Sequence, residues 1–300
     1  IWIAPYFANY AALALLSEFD RHKNQEDLKR VGSWLSWCVN NQSANGYWSD
    51  FEGTVDAYVT NGKVDAWDSS AALFLLVAGR YQRAGGSLSP GILTAAERAR
   101  ACIEHVTDSD GLTWAKPDYK IKFLMDNVEV CAGLRAATGL LSVSAVESAT
   151  EHAARISKKL PVYWNPAKSL FAYALLPDNS LSGGLDKPYP HVLAQLFGFA
   201  FVEPHAAAWE ALVKAFQPET GQATSTGPEW WLVSATRIGG SQVRSWREKV
   251  VVEVAAFTAQ RVYLQRPALT LLALLEGADW MLINDLPSHR SALQTNKHNQ

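Results

Sequence analysis

The chain has 300 residues, a net charge of −2 and 48% hydrophobic residues, enough apolar side chain for a sizeable core. A charged fraction of 19% with no basic or acidic excess argues against binding to nucleic acid or an anionic membrane surface. Twelve tryptophans are more than structural use accounts for and point to an aromatic-lined pocket, whereas Cys38, Cys102 and Cys131, without CxxC spacing, read as buried free thiols.

Residues 5–20 carry apolar side chains at helical spacing through Tyr6, Tyr10, Leu13, Leu16 and Phe19, and 26–41 repeat the signal through Leu28, Val31, Trp34, Leu35 and Cys38. A loop rich in Gly, Asp, Asn and aromatics fills 42–64, a length that usually serves function; its acids are Asp50, Glu52 and Asp56. A second helical pair is predicted over 67–83 and 90–107, with Pro90 in a first turn. A third covers 126–138 and 144–159, where Ser144 and Glu147 have capping-box spacing. Further helices are predicted at 190–201, 204–216, 228–238, 242–260 and 267–276. Between pairs, Gly46-Tyr-Trp, Gly111-Leu-Thr-Trp and Val162-Tyr-Trp each place an aromatic after a turn, on short extended segments.

Pair starts near 5, 67, 126 and 190 are separated by 62, 59 and 64 residues, a degenerate repeat. Residues 67–77 and 128–141 have few charges after their first turn and belong inside, whereas 21–30 and 95–104 carry several and belong outside. Alternating inner and outer helices predict an all-α fold, an (α/α)6 toroid with small β segments in the loops. About eleven helices are countable, one short of six hairpins, and the twelfth falls to the tail after Asp279 or lies beyond the chain. No linker interrupts the pattern, so residues 1–300 are read as a single catalytic-type domain with a flexible tail from about 285.

The acids gather at the predicted inner-helix starts. Asp68 and Asp126 lie 58 residues apart, about one repeat. Neighbouring helices pack roughly 8–10 Å apart, so first-turn side chains on adjacent inner helices come within reach of one another. Glycosidic cleavage needs one protonated acid and one carboxylate. A helix N-terminus keeps an acid ionised, and apolar surroundings keep one protonated. Asp68 and Asp126 are therefore the predicted catalytic pair; the competing reading is that both are ordinary N-caps. Asp65, Glu129, His191, Glu229 and Trp230 are predicted to bind substrate, with Trp48 and Trp67 as sugar platforms.

The segments Pro5-Tyr-Phe-Ala-Asn9-Tyr10, Val64-Asp65-Ala-Trp-Asp68-Ser-Ser-Ala-Ala and Asp126-Asn127-Val-Glu129 give the chain, over residues 5 to 276, a layout that resembles the six-hairpin glycosidases, which include family 8 endoglucanases and unsaturated glucuronyl hydrolases. That resemblance implies inner-helix N-termini pointing into a cleft with two catalytic acids and aromatic sugar subsites. The expected activity is hydrolysis of a polysaccharide or oligosaccharide, with a carbohydrate substrate, no nucleic-acid or membrane partner, and no metal or cofactor. The alternatives are a non-hydrolytic carbohydrate-binding or polysaccharide-assembly toroid, and a polysaccharide lyase using Tyr189, His191 and Asn127. No P-loop, GxGxxG, HExxH, GxSxG or DDxxD pattern supports other chemistry. The Met-less start and the inferred substrate favour an extracytoplasmic or secreted location.

Overall fold

The computed structural model describes residues 1–54, 56–216, 227–239, 242–257 and 265–281. The expected tail from about 285 lies outside them. Eleven α-helices are present among the described residues: α1 Pro5–His22, α2 Gln25–Asn41, α3 Trp67–Arg83, α4 Pro90–His105, α5 Leu124–Ala136, α6 Val143–Lys159, α7 Leu193–Phe197, α8 Ala206–Ala215, α9 Pro228–Ile238, α10 Gln242–Phe257 and α11 Gln265–Leu275. The odd-numbered helices touch in succession, and α11 returns to pack on α1, so six helices close an inner ring. The even-numbered ones lie outside it: α4 packs on α3, α6 on α5 and α10 on α9.

Side-chain pattern explains which helix goes where. Every residue of α3 from Asp68 to Gly79 is buried, whereas α2 buries only Val31, Leu35 and Cys38. A helix apolar all round can only lie between others, while a striped one covers them. The α3–α5 seam is unusually close because each helix presents a glycine to the other. A Cβ at Gly79 would lie 2.1 Å from the Ala136 carbonyl oxygen, and one at Gly133 would lie 2.3 Å from that of Ala72. This close approach brings the first turns of α3 and α5 together.

Capping follows the layers only in part, since the outer helices α6 and α8 also start without a side-chain cap. Outer helices α2 and α4 are capped by the side chains of Asn24 and Ser89, but inner helices α1, α3, α5 and α9 start without any side-chain cap. Neither Asp68 nor Asp126 is an N-cap, since those positions belong to Ala66 and Phe123. The capping box expected at Ser144 is also absent: α6 begins a residue earlier, with Ser142 at the cap position and its amide donating to Glu97. The inner helix expected over 190–201 is interrupted, since two π-helical turns, Pro188–Val192 and Gly198–Val202, flank α7.

The loops carry short antiparallel sheets. Strands β1 Trp2–Ile3, β2 Phe51–Gly53 and β3 Tyr58–Thr60 form one; β4 Lys122–Phe123, β7 Ala174–Leu175 and β8 Leu181–Ser182 form another; β5 Trp164–Asn165 pairs with β6 Leu170–Phe171. Of the three aromatics expected on extended segments, Trp164 lies on a strand, whereas Trp48 and Trp114 do not. All three cysteines are buried free thiols. Among the described residues no helix is long and apolar enough to cross a membrane.

Candidate active site

The uncapped starts of the inner helices converge on a cavity of about 450 Å³. Tyr6 and Tyr10 enter from α1, Asp65 from the segment before α3, Asp126 from α5, Tyr189 and Leu193 from around α7, and Trp230 from α9. Five of the six inner helices thus contribute. Tyr119, from the loop before β4, and Phe123, the last residue of β4, complete an aromatic wall. Two of these rings face solvent, Tyr119 at 49% and Tyr189 at 69% exposure, and so remain available to stack on a sugar face.

Asp126 sits in the first turn of α5 and forms part of the cavity wall. Burial holds its carboxyl well above the usual carboxylate range, and the nearby Asp68, Glu129 and Asp65 push it further in the same direction. Asp65 is exposed at the cavity mouth. Partial burial also raises its carboxyl, but the ammonium of Lys116 opposes the shift. The cavity therefore pairs an acid that favours its proton with one that has a cation beside it.

Two further carboxyls lie behind this surface. Asp68 is fully buried, accepts from the Thr113 hydroxyl at 2.6 Å and from the Ser69 amide at 2.8 Å, and is raised by burial to about 7 against those two hydrogen bonds. Asn127 fixes this arrangement: its Oδ1 accepts from the Thr113 amide at 2.8 Å, while its Nδ2 donates to the carbonyls of Thr113 and Phe123. Glu129 is also fully buried. Its Oε1 accepts from Tyr6 at 2.8 Å and from Tyr10, while Oε2 has no hydrogen-bond partner among the described residues. A buried, unpartnered carboxylate oxygen disfavours the charge. Burial accordingly raises Glu129 to about 8, even though both tyrosine hydroxyls lower it.

The residues singled out from sequence fall into three groups. Asp65, Asp126 and Trp230 line the cavity together, although Trp230 is nearly buried against Phe197 at 4.5 Å. Asp68 and Glu129 support that wall from behind rather than facing the cavity. Trp48, Trp67, His191 and Glu229 lie elsewhere. Trp48 is a core residue, not a sugar platform: its ring packs on Phe74 at 4.7 Å and its Nε1 donates to the Cys38 carbonyl. Trp67 stacks on Tyr47 at 4.1 Å beside a neighbouring cavity. His191 binds Asp186 at 2.5 Å and stacks on Tyr173. Glu229 is buried in the first turn of α9, against Gly227. Tyr6, Lys116, Tyr119 and Phe123 were not among the expected site residues. Only Tyr6 carried a signal, its place in the first turn of an inner helix.

No family model matches the chain, and no curated protein matches it. Solved structures do. A reducing end xylose-releasing exo-oligoxylanase is similar with a TM-score of 0.54 and 14% identity, covering 94% of this chain and 82% of that one. An Asp-to-Asn mutant of a reducing-end-xylose releasing exo-oligoxylanase is similar with a TM-score of 0.57 and 12% identity, over 93% and 82%. The fold is an (α/α)6 toroid. Identities this low speak for the fold alone; function has to be argued from the cavity.

Proposed function

We propose that the protein is a glycoside hydrolase acting on a polysaccharide or oligosaccharide, the whole chain serving as one catalytic toroid. One observation carries this reading: Asp126 and Asp65 face the same aromatic-walled cavity, and although burial raises both carboxyls, the Lys116 ammonium opposes the shift at the exposed Asp65 while the surrounding carboxyls add to it at Asp126. Asp126, kept protonated by burial and by the carboxyls behind it, donates to the glycosidic oxygen as the bond to the sugar carbon breaks. Asp65, at the mouth beside Lys116, takes a proton from the attacking water. Asp68 acts through Asp126 rather than on substrate, because no part of it is exposed.

Sugar rings stack on Tyr119 and Tyr189, while the Tyr6 hydroxyl, held by Glu129, is placed to meet a sugar hydroxyl. The similarity to oligoxylan-cleaving enzymes makes xylan and xylo-oligosaccharides the first substrates to test, with β-glucan and cello-oligosaccharides beside them. Release of new reducing ends by the wild type, and a loss of about 10²–10⁴-fold in Asp126→Asn, is the expected result. Undiminished turnover in that variant refutes the assignment, as does a product absorbing in the ultraviolet, which marks elimination instead. The lyase reading is weakened further because Asn127 is fully buried and clamps Thr113.

A further inference from the structure

The acid cavity changes character with depth. At its mouth stand Asp65, Tyr119 and Tyr189, all exposed, with Lys116 and Asp126 half-buried. Its inner end is formed by Met125, Phe197 and Trp230, all buried, and by the half-buried Phe7 and Leu193. Four of these five side chains carry no nitrogen or oxygen. Tyr10 also borders this end, but its hydroxyl is already bound to Glu129. Trp230 is the exception. Its ring is fixed by Phe197, with centroids 4.5 Å apart, and by Trp280, at 6.2 Å. A buried indole N–H ordinarily has a partner, as the Nε1 groups of Trp34, Trp37 and Trp48 do in Asn9, Tyr58 and the Cys38 carbonyl. Nε1 of Trp230 makes no hydrogen bond among the described residues, although the side chain lines the cavity and the residue is only 5% exposed.

The side chains of the inner end thus offer one hydrogen-bond donor and no free oxygen, and that selects among the groups a glycan can place there. A sugar hydroxyl is both donor and acceptor, so its proton would be stranded against Phe197 and Leu193, and a buried hydroxyl without a partner is costly. A charged substituent would meet no counter-charge. An acetyl group fits: its carbonyl oxygen accepts from one N–H, it donates nothing, and its methyl meets apolar side chains. An acetyl ester leaves no donor unmatched. An acetamide carries its N–H on the side of the sugar ring, toward the part of the cavity that holds Asp126.

We infer that the inner end of the acid cavity receives an acetyl substituent of the glycan, with Trp230 Nε1 donating to its carbonyl oxygen and Phe7, Met125, Leu193 and Phe197 surrounding its methyl. The inference rests on the glycosidase reading and names its substrate class: an acetylated glycan, cleaved beside the acetylated unit. It makes Trp230 a specificity-determining donor to a substituent rather than a platform for a sugar ring.

The test compares matched substrates in two arms, which distinguish an ester from an amide. Acetylated xylo-oligosaccharides before and after alkaline removal of their acetyl esters form one arm. N-acetylchitohexaose against cellohexaose, which has hydroxyls in place of acetamides, forms the other. Turnover is measured for the wild type, Trp230→Phe and Leu193→Asn, and calorimetric binding for Asp126→Asn alone and combined with each. In at least one arm the acetylated member should be favoured about tenfold, the effect of one hydrogen bond and one buried methyl, and each substitution should lower that preference by about threefold or more. Leu193 is half-buried, so its variant decides the point if Trp230→Phe fails to fold. No preference for the acetylated member in either arm, or a preference that survives both substitutions, overturns the inference. If the plain sugars are cleaved without any acetyl preference, the glycosidase reading stands and the acetyl site falls. If Asp126→Asn binds with acetyl preference and the wild type cleaves none of the sugars, the site stands and hydrolysis falls.

Discussion

Replacing Gly133 with alanine should destabilise the protein, although the same change in an unobstructed helix stabilises it. Gly133 lies in the last turn of α5, and inside a helix alanine is ordinarily favoured over glycine by about 1 kcal/mol. Here the added methyl would meet the Ala72 carbonyl oxygen at 2.3 Å and its carbonyl carbon at 2.8 Å. Both are backbone atoms of α3 and cannot rotate away. Carbon contacts are comfortable from about 3.5 Å, so the two helices would have to part by roughly 1 Å. Overpacking against backbone that cannot move aside lies in the upper part of the usual range, about 2–3 kcal/mol, so after the propensity gain the net loss is about 1–2 kcal/mol, or roughly 2–8 °C in Tm for a chain of this size. Thermal unfolding followed by circular dichroism measures it. The same seam carries Asp68 and Asp126 in its first turns, so turnover should fall together with Tm. A Gly133→Ala protein as stable as the wild type, or more so, would refute the claim that reciprocal glycines set the α3–α5 approach.

Three further outcomes are expected. The Glu129 carboxyl, at about 8 in the folded chain against 4.5 when unfolded, binds a proton on folding across that window. Its contribution to stability is therefore full at low pH and lost as pH rises through the window. Urea unfolding of the wild type should lose up to about 1.4 kcal/mol per pH unit relative to Glu129→Gln between about pH 5 and 8, and parallel curves would contradict the buried neutral acid. Lys122, with a side chain only 4% exposed, lies between Asp108 at 2.6 Å and Asp110 at 2.9 Å. Lys122→Met should cost about 2 kcal/mol in urea unfolding, because both carboxylates are partly hydrated and lose less than a fully buried pair would. The alkaline limb of the pH–rate profile should lie above the ordinary carboxylate range, because burial and the neighbouring carboxyls raise Asp126, and a limb within that range would contradict its role as proton donor.

The inner helices were legible in the sequence where chemistry is local. The bounds expected for α3 and α9 match the structure, because an aspartate- or proline-marked start and an unbroken apolar run leave few alternatives. The repeat set Asp68 opposite Asp126, whereas the acid that shares the cavity with Asp126 is Asp65, three residues earlier and expected only to bind substrate. What the sequence did not disclose depends on contacts across long separations. Tyr6 and Tyr10 reach Glu129 over 123 and 119 residues, and no local spacing predicts that. Trp48 and Trp230 look alike in composition, yet one is sealed by a bond to the Cys38 carbonyl and the other faces the cavity. Asp68 resembled a catalytic acid or a cap and is neither a cap nor exposed; the Thr113 hydroxyl that holds it comes from 45 residues away. Ser144 fitted a capping pattern, but α6 starts one residue earlier, with the Ser142 amide held by Glu97 of α4.

The central claim is that Asp126 delivers a proton to a glycosidic oxygen inside the cavity. A crystal structure of Asp126→Asn soaked with xylohexaose or cellohexaose tests this most directly. The expected result is a glycan threaded past Tyr6 and Tyr189, with one glycosidic oxygen within hydrogen-bond distance of residue 126 and Asp65 across the bond with room for water. A glycan bound elsewhere on the toroid, or in the cavity with no glycosidic oxygen near residue 126, would contradict it.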